Sequence, residues 1–156
     1  MTAMSRNSRL RSARMRQNQG GSSTAGGVSY VIDLSRSRQM GRSPEHMLFE
    51  RRCAECKARL TKAAELPPAE RQIREIARCC SRKEGFISTE MPLLEIAFLV
   101  LVARRNQPID LRELYHIVTE EWATPLNPKN ITIEGFRRIL DNDRYYGFGA
   151  LSGEPG

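Results

Sequence analysis

Apolar side chains are nearly absent from the first 27 positions and recur at two different spacings after them. Through residue 27 the only ones larger than alanine are Met1, Met4, Leu10 and Met15, set among Ser, Arg, Asn, Gln and Gly. Such a segment buries too little apolar surface to offset its ordering entropy. Residues 1–27 are therefore expected to form a disordered, arginine-rich arm. Its end is linker-like, with Gly20-Gly21 and Gly26-Gly27 flanking a Ser/Thr/Ala stretch. Then Val28, Tyr30, Ile32 and Leu34 alternate with less apolar neighbours. That period of two predicts a short strand or extended segment within residues 28–43.

From Ser43 onward the spacing is helical. Ser43 as N-cap and Pro44 at the first helical position open a helix expected to run to about Ala64. Pro67-Pro68 interrupt it, and a second helix is expected from about Ala69 to Arg82, closed by Gly85. Residues 44–85 thus read as a helical hairpin. Residues 86–150 read as helix, short extended Pro108-Ile109, helix, loop, helix and strand, and residues 151–156 as a flexible tail. The expected fold class is mainly α: a helical hairpin, a three-helix unit with one or two short strands, and a disordered N-terminal arm.

The most apolar run, Met91 to Ala103, contains Glu95. It falls short of the roughly 20 residues a membrane-spanning helix needs and fits a helix buried in a small core. No membrane partner is expected. The N-terminus is positively charged but lacks the apolar stretch of a signal peptide. Four cysteines without a secretory signal suit a reducing compartment. An intracellular site, cytoplasmic or nucleoid, is the expectation.

The formal net charge of +7 is unevenly placed. Residues 1–43 hold eight arginines, Arg6, Arg9, Arg11, Arg14, Arg16, Arg36, Arg38 and Arg42, against one acid, Asp33. Residues 44–156 hold 17 basic and 17 acidic residues. Guanidinium groups bind phosphate oxygens bidentately and release counterions from nucleic acid, so these eight arginines are candidate nucleic-acid contacts. An acidic protein surface would attract the same arm. A targeting segment and a solubilising tail are the other readings of its composition.

Cys53 and Cys56 are three residues apart, hence on one face of the first hairpin helix. Cys79 and Cys80 lie about as far beyond the hairpin turn as the first pair lies before it. An antiparallel hairpin would bring the pairs level, as a four-thiolate zinc site or an iron–sulfur cluster requires. His46, two helical turns before Cys53, is a further candidate ligand. Three points favour plain core cysteines. His46, Phe49, Cys53, Cys56 and Leu60 form one apolar stripe facing Ile73, Ile76, Ala77 and Cys80. Adjacent cysteines in a helix point about 100° apart. Cys53-Ala54-Glu55-Cys56 falls in mid-helix on this reading, whereas zinc knuckles place that spacing in a turn. Redox or disulfide pairing is the third alternative.

Residues 88–148 resemble the winged helix-turn-helix superfamily. The resemblance is carried by Leu93–Val100 for a first helix, Ile109–Tyr115 for a second, Ile131–Leu140 for a third, and Tyr145-Tyr146-Gly147-Phe148 entering a wing. It implies DNA binding with the third helix in the major groove. Thr132, Arg137 and Arg138 would face DNA there, with Lys129 and Arg144 reaching phosphates. The loop Ala123–Asn130 is long for that pattern, and Glu134, Asp141 and Asp143 oppose a polyanion.

No catalytic motif stands out. His116 lies between Glu113 and Glu120 on one helix, an ordinary surface grouping, and neither a nucleophile elbow nor a phosphate loop is present. The expected function is that of a non-enzymatic nucleic-acid-associated protein, a transcriptional or chromosomal accessory factor, with DNA preferred to RNA as partner. The alternative is a protein-interaction or assembly subunit whose arm threads into a larger complex. A homo-oligomer is compatible with either.

Overall fold

A computed structural model describes residues 27–61 and 64–152. Strand β1 (Val28–Ile32) is followed by helices α1 (Leu34–Gln39), α2 (Pro44–Glu50), α3 (Ala54–Leu60), α4 (Ala69–Arg78) and α5 (Leu93–Ala103). Strand β2 (Ile109–Asp110), helix α6 (Leu111–His116), helix α7 (Ile133–Asp141) and strand β3 (Phe148–Ser152) complete the order. The described residues are therefore mainly helical, with one small antiparallel sheet. The expected arm, residues 1–27, falls almost wholly outside them, as do Arg6, Arg9, Arg11, Arg14 and Arg16.

The sheet runs β2-β1-β3, with the N-terminal strand in the centre. Tyr30 faces Ile109 on one side and Ala150 on the other. The predicted alternation holds: Tyr30 and Ile32 are buried. It stops at Asp33, whose carboxylate caps α1 by accepting from the Arg36 amide. Leu34 thus opens a helix instead of ending a strand, and the extended reading of residues 28–43 is correct only through Ile32. The three strands fall at the expected extended segments, but β3 begins only at Phe148 and runs to Ser152, two residues into the expected flexible tail. The two-residue β2 is prolonged by a side chain. Asn106 accepts from the Ile32 amide at 2.7 Å and donates to the Ile32 carbonyl at 2.9 Å, substituting for a strand partner. Gly149, opposite Val31, is required by close approach, since a Cβ there would stand 2.9 Å from that of Asp33.

Helix α5 is the axis of the core. Ile96 through Val102 are all buried, and the helix packs against α4, β1 and the turn after α6. Helix α6 continues as a π-helical turn over Ile117–Glu121, which widens the backbone before the proline-containing loop. Thr132 caps α7 through the Gly135 amide, and Phe136 and Leu140 of α7 enter the same core.

The long first helix of the expected hairpin is absent. It divides into α2 and α3 at Arg51–Cys53, where the sequence has neither proline nor glycine. The cause is tertiary: two adjacent arginines are drawn to different elements. Arg51 donates to both carboxylate oxygens of Glu95 on α5, at 2.9 and 2.8 Å, and to the Met47 carbonyl. Arg52, with its side chain only 2% exposed, donates to Gln72 and Glu75 on α4. Holding both pairs takes the backbone out of helical register, and Cys53 becomes the extended N-cap of α3.

Candidate metal centre

The break in the first helix creates the cysteine site. Cys53 sits at the start of α3 and Cys56 one turn in, so the C-x2-C segment is a turn entering a helix, contrary to the mid-helix expectation. The second pair is shaped by another helix end. Helix α4 stops at Arg78, Cys79 is its C-cap, and Cys80 begins a short 3-10 turn through Arg82. The change of winding between Cys79 and Cys80 removes the divergence that adjacent residues have within an α-helix.

The four sulfurs converge. All lie within 4.8 Å of one another, and the Cys56 and Cys79 sulfurs are 3.8 Å apart. The Cys53 amide donates to the Cys80 sulfur at 3.1 Å, and the Arg59 guanidinium donates to the Cys56 sulfur at 3.0 Å. Cys56 and Cys80 are buried, Cys53 and Cys79 half-buried, and all four are free thiols. Such a cluster could hold a metal ion. His46 is exposed on α2 and outside the cluster, because the break at Arg51–Cys53 separates its face from that of α3.

The thiols are not equivalent. The Cys56 backbone amide, at the α3 N-terminus, draws the Cys53 thiol down to about 7 against residual burial, with neighbouring sulfurs adding to the effect. Burial pushes the Cys56 thiol up to about 12 and also raises Cys80. Cys53 thus ionises more readily than Cys56 or Cys80, which form the closed side.

The other candidate residues are dispersed, and several are already engaged. Lys129 donates to the Thr89 and Asn127 carbonyls, which ties the loop before α7 to the segment before α5. Thr132 is spent on its cap. Arg137 pairs with Asp141 at 3.6 Å. Arg36 reaches the Asp141 and Asp143 carbonyls, Arg38 pairs with Glu45, and Arg42 lies 4.1 Å over the Tyr145 ring. Arg138 and Arg144 are exposed and, among the described residues, carry no ion pair.

The sequence reading missed the arginines around the sulfurs. Arg52, Arg59, Arg71 and Arg78 line one cleft with Cys56 and Cys79. A local charge count would have found them. Residues 51–83 hold ten basic and four acidic residues, whereas residues 84–156 hold seven basic and eleven acidic. Summing over residues 44–156 cancels the two. No family model matches the chain, and no curated protein or solved structure is significantly similar to it.

Proposed function

We propose that this chain is a non-enzymatic, zinc-stapled nucleic-acid-associated protein. The convergence of four cysteine sulfurs within 4.8 Å carries the zinc part of this reading. Zinc–sulfur bonds of about 2.3 Å place the sulfurs of a tetrahedral site about 3.8 Å apart, the separation of the Cys56 and Cys79 sulfurs here. An iron–sulfur cubane, in which each cysteine binds a different iron, needs its sulfurs farther apart. Four protein ligands leave no open position for substrate, which marks a structural site. Cys53, Cys56, Cys79 and Cys80 would hold the ion, and Arg59 would offset part of the thiolate charge at Cys56.

The nucleic-acid part rests on charge: eight arginines against one acid over residues 1–43. The helix–strand–helix–helix–strand order of residues 93–152 supports the winged-helix resemblance, with β1 taking part in the sheet beside the candidate wing strand β3. The engaged state of Lys129, Thr132 and Arg137 argues against α7 as the principal reading element.

The test has two readouts on the purified full chain. Zinc content should be about one ion per chain, and chelation should lower the melting temperature. Affinity for a 20-base-pair DNA duplex should fall steeply as salt rises from 50 to 200 mM. Metal-free protein of unchanged stability would refute the zinc centre. Absent or salt-independent binding would refute nucleic-acid association and favour the assembly-subunit reading.

A further inference from the structure

The geometry points to the arginine face of α3 and α4, beside the sulfur cluster, as the surface of the folded body that takes nucleic-acid phosphates. This rests on the nucleic-acid reading above and assigns it a site. Arg71, Arg74 and Arg78 recur at spacings of three and four on α4, and all three are exposed. They form one ridge spanning about 10 Å at 1.5 Å per residue, roughly the rise of three nucleotides along one strand. Arg59 of α3 faces the same cleft, about 340 Å3 in volume, whose lining includes Arg71, Arg78, Cys56 and Cys79.

Three observations separate this face from the rest of the body. Its segment carries an excess of six basic residues, ten against four. Four thiolates around a divalent ion carry a net charge of −2, so the excess survives metal binding. Among the described residues, Arg74 and Arg78 have no ion-pair partner, while the exposed Arg71 shares the quarter-exposed Glu75 with Arg52. Helix α7 offers less. Among the described residues it presents one unpaired arginine, Arg138, beside Arg137, which is paired with Asp141, and its segment holds more acids than bases.

The surface also depends on the sulfurs. Cys56 on α3 and Cys79 at the end of α4 form part of the cleft wall, and Arg59 is steered into it through its contact with the Cys56 sulfur. A metal across these cysteines fixes α3 against α4, and with them the spacing of Arg59, Arg71 and Arg78. Chelation should then weaken nucleic-acid binding without touching the arm.

The test uses the full chain and a random-sequence 20-base-pair DNA duplex, with melting temperature and zinc content recorded for every variant. Arg71→Glu/Arg78→Glu should lower affinity at least about tenfold and flatten the log K against log salt slope by about two, as expected when two phosphate contacts are lost. Arg74→Glu/Arg78→Glu repeats the test without disturbing Glu75, should the first variant lose stability. Arg137→Glu/Arg138→Glu should change affinity less than about threefold. The proposal is overturned if both α4 variants bind as the native chain does. Loss on replacing Arg6, Arg9, Arg11, Arg14 and Arg16 by Gln, with no loss in the α4 variants, would leave nucleic-acid association standing and restrict it to the arm. A native chain that fails to bind at 50 mM salt would remove both the reading and the site.

Discussion

Helices α3 and α5 lie in the same small body and are held by opposite means. Of the eleven residues of α5, the seven from Ile96 to Val102 are buried, and burial of side chains such as Ile96, Phe98, Leu99 and Leu101 stabilises by about 1.5–3 kcal/mol each. Of the seven residues of α3, only Cys56 is buried. A seven-residue helix has no independent stability in water, and α3 lacks an apolar face to dock. The cluster supplies what the core does not: four sulfurs, the Cys53 amide on Cys80 and the Arg59 contact. The C-terminal two-thirds of the body is thus held by an ordinary hydrophobic core, whereas α3 is held at the cysteine cluster, and on the zinc reading its order would depend on ligation.

The sharpest way to break that comparison is to damage each side separately. Cys56→Ser should abolish zinc binding and destabilise by more than about 3 kcal/mol, a melting decrease of ~10 °C. Amide exchange should then rise in residues 51–61 while residues 96–102 stay protected. Leu101→Ala should cost about 2–5 kcal/mol through its cavity, raise exchange throughout the core, and leave the zinc content at one per chain when folded. Uniform loss of protection in both variants would show that the two regions are one cooperative unit.

A smaller effect is expected where the regions meet. Glu75 of α4 accepts from buried Arg52 at 2.6 Å and from Arg71 at 2.9 Å. Burial opposes its ionisation, but the two guanidiniums together outweigh that and hold the carboxyl below its ordinary range. With the folded value depressed, the native state favours the carboxylate. Its contribution is complete above the unfolded carboxylate pKa and is lost as pH falls through the lower folded value. Removing one partner of a fully buried pair costs about 3–5 kcal/mol. Glu75 is a quarter exposed, so Glu75→Gln should cost about 2 kcal/mol at pH 7. The melting-temperature gap between native and variant should narrow toward pH 3. Any metal held by the cysteines would be lost from both proteins alike on acidification, so the gap isolates Glu75. A gap independent of pH would show that Arg52 is satisfied by Gln72 alone.

The parts of this architecture legible in the sequence are those governed by local rules. Ser43-Pro44 and Thr132 announced helix starts that the structure retains, and the alternation of Tyr30 and Ile32 announced a strand. The four-cysteine grouping was legible as a possibility from chain distance around Pro67-Pro68. The division of the first helix was not, because Arg51 and Arg52 are good helix formers locally and leave the helix only for partners at Gln72, Glu75 and Glu95. The same tertiary event explains two errors of expectation: Cys53–Cys56 read as mid-helix, and His46 read as a ligand. The α4 arginine ridge was hidden by summing charge over too long a window. The place of β1 was left open because pairing with distant strands has no local signature.

The smallest effect concerns the seam that lets β1 sit centrally. Asn106 has φ +59°, and its side-chain amide makes both hydrogen bonds that a strand partner would make to Ile32. Asparagine suits the position twice, since it tolerates left-handed backbone better than most residues and carries a donor and an acceptor at fixed separation. Asn106→Ala loses both hydrogen bonds and adds strain, whereas Asn106→Gly loses the bonds and relieves strain. If the side chain acts as a surrogate strand, both variants should be destabilised by about 1–2 kcal/mol, with Ala worse by up to ~1 kcal/mol. Exchange of the Ile32 amide should rise in both, and zinc content should be untouched, since the seam lies in the hydrophobic region and away from the cysteine cluster. Should Asn106→Gly prove as stable as the native chain, water supplies the missing partners and β1 is held by β3 and the core alone.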